Sequence, residues 1–118
     1  LIFRLIKGSL SLLLQFSEVL VMASADRIFE TLHRAKPELA TRFKVNEIGV
    51  FGSVARGEQR EESDIDILVD LDEGADLLDL IGLSQFLEER LHHKVDVVPK
   101  TALRKELRER VLKEVRYL

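Results

Sequence analysis

The segment Asp64-Ile65-Asp66-Ile67-Leu68-Val69-Asp70 constrains this chain more than any other. Ile65, Ile67 and Val69 alternate with Asp64, Asp66 and Asp70, and only a β-strand has side chains that repeat every second residue. One face is therefore apolar and must be covered. The other face carries Leu68 and a pair of carboxylates, Asp64 and Asp66, whose Cα atoms stand about 7 Å apart by strand rise. Two like charges so placed are unfavourable unless a cation neutralises them. A hard divalent ion such as Mg²⁺ suits carboxylate oxygens together with substrate phosphates, and two such ions could be bridged by the pair. The plainer alternative is a solvated outer face of an edge strand, and an isolated Asp-x-Asp does not decide between them.

The rest of the chain supplies elements to cover that strand. Val45–Phe51 and Val95–Val98 read as two further strands, the latter ended by Pro99. Ser24 is placed to cap a helix carrying Ile28, Leu32, Ala35 and Leu39, which Pro37 is expected to break, with a short second helix running to Arg42. Gly52-Ser53 opens a helical turn that stops near Gly57. Asp76–Leu91 reads as a helix with Leu77, Leu80, Ile81, Leu87 and Leu91 inward. Thr101–Leu118 reads as a final helix with Leu103, Leu107, Val111 and Val115 on one side, and with Glu106–Arg110 and Glu109–Lys113 as stabilising pairs. The expected fold is α/β (α+β), a three-stranded sheet covered by helices, with strand directions left open by the sequence.

Composition narrows the function classes. The 118 residues suit one domain, with 46% hydrophobic and 33% charged residues in ordinary globular balance. The net charge of −3 disfavours an extended nucleic-acid groove. The absence of cysteine rules out disulfides and thiolate metal sites, and agrees with the expected cytoplasmic location. Residues 1–21 form an apolar leader with three readings: an additional amphipathic helix, a secretory signal ending at Ala23-Ser24-Ala25, or sequence upstream of a start at Met22. Its polar interruptions argue against a membrane span. The functional domain is expected to occupy 22–118.

Two further features bear on the carboxylate pair. Glycine after an apolar strand permits a sharp turn and close approach of a phosphate, so Gly52 and Ser53 are candidate phosphate contacts, with Arg56 one turn later. Taken alone, a Gly-Ser pair is more often just a turn. Asp96 lies among Val95, Val97 and Val98, where a buried carboxylate needs a partner or a metal. It could complete a metal site, act as general base, or pair with Lys94 or an arginine. His33, His92 and His93 read as solvated, and Tyr117 as a packing residue.

Together, Val50-Phe51-Gly52-Ser53-Val54-Ala55-Arg56-Gly57, then Ser63-Asp64-Ile65-Asp66-Ile67-Leu68-Val69, then the distant Asp96, resemble the DNA polymerase β-like nucleotidyltransferase superfamily. The resemblance runs from about Met22 onward and is closest to the minimal nucleotidyltransferases. It implies a small mixed sheet in the nucleotidyltransferase fold. It further implies Mg²⁺, with two ions expected, on Asp64, Asp66 and Asp96, and ATP as substrate held by Gly52, Ser53 and Arg56. Proteins of this group are typically antitoxins encoded beside a HEPN-domain ribonuclease toxin, and members transfer AMP from ATP to a tyrosine of the toxin, so the resemblance implies a toxin partner and a hetero-oligomer with it. Inhibition of a toxin by binding alone, and transfer to a small molecule or RNA end, are the competing functions.

Overall fold

The computed structural model describes residues 24–60 and 62–118, and the leader expected at residues 1–21 lies outside them. In chain order the elements are α1 (Ser24–Phe43), β1 (Val45–Phe51), α2 (Gly52–Arg56), β2 (Ile65–Leu71), α3 (Leu77–Leu91), β3 (Val95–Pro99), a 3-10 turn (Lys100–Ala102), α4 (Lys105–Glu114) and β4 (Arg116–Tyr117). The sheet is mixed, in the order β3-β2-β1-β4. β1 runs antiparallel to both β2 and β4, whereas β2 and β3 are parallel. The parallel pair follows from α3, which carries the chain back across the sheet between them.

The apolar alternation works as expected. Val50 faces Ile67 and Ile48 faces Val69 across β1 and β2, and all four are buried with Leu32, Leu39, Leu83 and Leu87 of α1 and α3. These two helices pack on each other and form the covering layer. Phe43 and Phe86 seal their junction with ring centroids 5.3 Å apart. Gly82 leaves room there, since a Cβ at that position would lie 3.1 Å from Phe43. Leu68, on the opposite face of β2, is buried as well.

Four expectations need correction. The sheet has a fourth strand, so the last helix stops at Glu114 and does not reach Leu118. Gly49 is the reason: a Cβ there would come within 2.6 Å of Val115 and 3.0 Å of the Tyr117 ring. Its bare backbone lets the C-terminal segment lie alongside β1, where Leu118 donates its N–H to the Ile48 carbonyl at 3.0 Å. Pro37 is accommodated inside a continuous α1, whose buried stripe extends past it through Leu39 to Phe43. On α3, Leu77 and Ile81 are 69% and 45% exposed, and the inward stripe instead runs through Leu80, Leu83, Phe86, Leu87 and Leu91. Ile81 lies about 100° round the helix from Leu80, which turns it out of that stripe. The pairs Glu106–Arg110 and Glu109–Lys113 are not among the ion pairs of the described residues.

The start of α3 is fixed by a reciprocal capping box. The Asp76 carboxylate accepts from the Asp79 N–H at 2.9 Å, and the Asp79 carboxylate accepts from the Asp76 N–H at 3.0 Å. His92 closes the helix in the left-handed region at φ 51°.

The role given to Gly49 has a direct check. Gly49→Ala should destabilise the protein by about 1–3 kcal/mol in urea unfolding, because the added methyl pushes Val115 and β4 off the sheet edge. Unchanged stability would contradict the close-packing account of β4.

Candidate active site

The site forms where β1 ends. Phe51 is extended, and Gly52 turns the chain in the left-handed region at φ 71° to enter α2. Gly57, at φ 73°, closes that short helix, with its N–H donating to the Val54 carbonyl at 3.1 Å and the Glu58 N–H to the Ser53 carbonyl at 2.8 Å. Positive φ at both ends explains why glycine brackets the helix. Gly52 has a second reason. A Cβ built on it would collide with the Asp66 carboxylate, whose Cγ would lie 3.0 Å away.

The sheet register aligns the acidic residues. Phe51 pairs with Asp66 across β1 and β2, and Asp66 pairs with Asp96 across β2 and β3. One row across three strands therefore carries Phe51, the residue just before the glycine turn, then Asp66 and Asp96, at neighbouring-strand spacings of about 4.8 Å. Asp64 stands just before β2, where the adjoining Ile65 N–H donates to the Lys94 carbonyl at 3.0 Å. An open cleft of about 520 Å³ is lined by Phe51, Gly52, Ser53, Arg56, Ser63, Asp64 and Asp66, with Leu107, Arg110, Val111 and Glu114 of α4 as its other wall.

Asp66 is half-buried, and its carboxyl pKa is pushed above the usual range, first by desolvation and then by the charges of Asp96 and Asp64. Asp96 is exposed rather than buried, contrary to the expectation from its valine neighbours. β3 is the last strand on its side of the sheet, with a neighbour on one side only, and Asp96 is its one exposed residue. The anticipated ion pair to Lys94 or an arginine does not occur among the described residues. Asp96 reaches the site through its register with Asp66 and is not a lining residue of the cleft.

The donor set fits a hard divalent cation. Asp66 bears the electrostatic cost of two neighbouring carboxylates, which a cation would relieve. No group of three or more acidic, histidine or cysteine side chains among the described residues is already gathered into a cage. Mg²⁺ commonly takes one or two carboxylates and completes its shell with water and substrate phosphate.

Arg56, on the same cleft, is engaged twice. Its Nε donates to Glu58 at 3.1 Å and its Nη1 to Glu114 at 3.1 Å, and both bonds raise its pKa further. The Gly52 N–H also donates to Glu114, at 3.0 Å. Sequence reasoning missed Glu114 because it placed that residue inside a longer helix. The signal was a carboxylate three residues after Val111 and immediately before the β-former Val115, where the buried helix face runs out. The histidines are peripheral to the cleft, and His33 and His92 are exposed.

In protein without divalent ions, the raised Asp66 pKa means that folding stability from this group is full below the unfolded carboxyl value. It is lost as pH rises through the folded value. Asp66→Asn should therefore be more stable than the wild type in EDTA, with the gap widening from about pH 4 toward neutrality. A variant less stable than the wild type throughout that range would contradict the electrostatic account.

Comparison with known proteins agrees with this geometry. The profile of the nucleotidyltransferase domain family matches residues 32–118. The protein adenylyltransferase MntA of Thermococcus cleftensis is 46% identical over 99 residues, covering 84% of this chain and all of that one. A solved structure assigned as a minimal nucleotidyltransferase superposes with a TM-score of 0.67 at 41% identity, covering 83% of this chain and 95% of the other. A toxin–antitoxin crystal structure with AMP-PNP matches with a TM-score of 0.60 at 26% identity, over 79% of this chain and 70% of that chain. By sequence, fold and family match together, this chain belongs to the nucleotidyltransferase family, in its minimal, MntA-like branch, and is an enzyme of that class.

Proposed function

We propose that the chain is a Mg²⁺-dependent protein adenylyltransferase that moves AMP from ATP to a hydroxyl, a tyrosine by the family resemblance, on a partner HEPN-type toxin and thereby acts as its antitoxin. The observation that supports this reading best is the row Phe51–Asp66–Asp96, which sets the glycine turn beside two carboxylates on adjacent strands. The MntA relative is a protein adenylyltransferase, and a structural neighbour is a toxin–antitoxin pair with an ATP analogue.

In this mechanism Gly52 shapes the turn, while Ser53 and Arg56 receive the triphosphate. Asp64, Asp66 and Asp96 would hold Mg²⁺, which supplies charge neutralisation at the phosphates. The acceptor hydroxyl oxygen bonds to the α-phosphorus as the bond to the bridging α–β oxygen breaks, and pyrophosphate leaves with that electron pair. Asp96, which has no ion-pair partner among the described residues, takes the hydroxyl proton. Leu107 and Arg110 form the cleft wall across from the aspartates and offer an apolar and a cationic surface to the incoming substrates. The cleft is open, so the acceptor side is completed by the toxin in a hetero-oligomer.

The test is intact-mass measurement of the cognate toxin after incubation with this protein and Mg·ATP. The toxin should gain one or more adenylyl masses. Asp64→Asn with Asp66→Asn should slow the transfer by roughly 100-fold or more while leaving the fold intact. A toxin that is inhibited yet unmodified would replace this reading with inhibition by binding alone.

A further inference from the structure

Glu114 is the last residue of α4, and three local preferences oppose its charge. A carboxylate at a helix C-terminus meets the negative end of the helix dipole. It sits near enough to Asp66 to raise that carboxyl's pKa. Its side chain is only 18% exposed, so water screens it poorly. Two hydrogen bonds offset this. Oε1 accepts from the Gly52 N–H at 3.0 Å, and Oε2 accepts from Arg56 Nη1 at 3.1 Å. A single carboxylate from the C-terminal helix thus grips both the turn that abuts Asp66 and the guanidinium in the same cleft.

We propose that Glu114 is a positioning residue for nucleotide binding, which holds Arg56 and the Gly52 turn in the arrangement that receives the triphosphate. The inference rests on the adenylyltransferase reading and adds a residue that reading does not use. The donor inventory of Arg56 separates positioning from competition. A guanidinium carries five N–H donors in a planar fork. Glu58 takes the one on Nε and Glu114 takes one on Nη1. The others, on Nη1 and Nη2, meet no acceptor among the described residues and suffice for a forked phosphate contact. Glu114 can therefore stay in place when a phosphate arrives. Glu58 also touches Arg56, but it is 67% exposed and only two residues away in sequence. Glu114 comes from a different element, so it alone of the two fixes Arg56 relative to the opposite wall of the cleft. The Gly52 N–H has one hydrogen, which goes to Glu114. Gly52 accordingly contributes shape, and Ser53 and Arg56 make the phosphate contacts.

Calorimetric titration of the full chain with Mg·AMP-PNP tests this in the wild type, Glu114→Gln, Arg56→Met and the double variant. Gln keeps an acceptor for the Gly52 N–H and removes the charge that holds Arg56. Glu114→Gln should weaken binding roughly threefold to tenfold. In the Arg56→Met background the same change should have no further effect, since the two residues act as one unit. Should Glu114→Gln fail to fold, Glu114→Asp, which keeps the charge but shortens its reach, carries the same comparison. Unchanged or tighter binding in the Glu114 variant, or effects that add independently of Arg56, would overturn the proposal. A wild type that binds Mg·AMP-PNP but transfers no AMP contradicts the proposed function alone. Equal affinities for the wild type and Glu114→Gln contradict this inference alone, and a wild type that binds no nucleotide contradicts both.

Discussion

The Asp66 carboxylate fits where it does only because residue 52 has no side chain. That contact ties the end of β1 to β2 and sets how closely the Gly52 turn approaches the Asp66 carboxylate. Everything else at the site is arranged around it. The parallel pairing of β2 with β3 brings Asp96 alongside Asp66. The buried apolar face of β2 fixes this register, because a slip by one residue would turn Ile65, Ile67 and Val69 to solvent. The packing of the core beneath α1 and α3 thus determines the chemistry of the face above it.

The C-terminal segment joins these layers. β4 lies on the bare backbone of Gly49, and α4 before it supplies the second wall of the cleft. Glu114 stands at the junction, with Gly52 and Arg56 on its two oxygens. The result is a site whose anionic side is built into the sheet and whose cationic side is braced from α4. Such a division suits a substrate that brings both a metal and a polyphosphate, since each meets the opposite charge.

Much of this was legible in the sequence, for identifiable reasons. Val45–Phe51 reads as a strand from its β-formers, and Ile65-Asp66-Ile67 from its period of two, and both were found where expected. Gly52, Ser53, Asp64 and Asp66 meet in one cleft, and they could be picked out beforehand because strand ends and turns carry strong local signals. Signals that depend on distant partners were weaker. A two-residue strand has no periodicity to detect, and its only trace was Gly49, a glycine inside a strand. Pro37 looks like a helix breaker until the apolar stripe beyond it is seen to pack against the sheet. Asp96 was judged buried from its valine neighbours, yet its strand lies at the edge of the sheet and Asp96 is exposed. Glu114 was missed because the last helix was expected to run on to Leu118, whereas α4 ends at Glu114.

In the proposed function Asp66, pressed against Gly52 and flanked by Asp64 and Asp96, anchors a divalent-cation and nucleotide site. Electron paramagnetic resonance of Mn²⁺ in the presence of AMP-PNP and the protein measures this most directly. The account predicts that the wild type depletes the free-Mn²⁺ signal beyond what AMP-PNP alone removes, and that Asp66→Asn restores it to the level of the nucleotide alone. Equal Mn²⁺ binding by the wild type and a folded Asp66→Asn protein would contradict it.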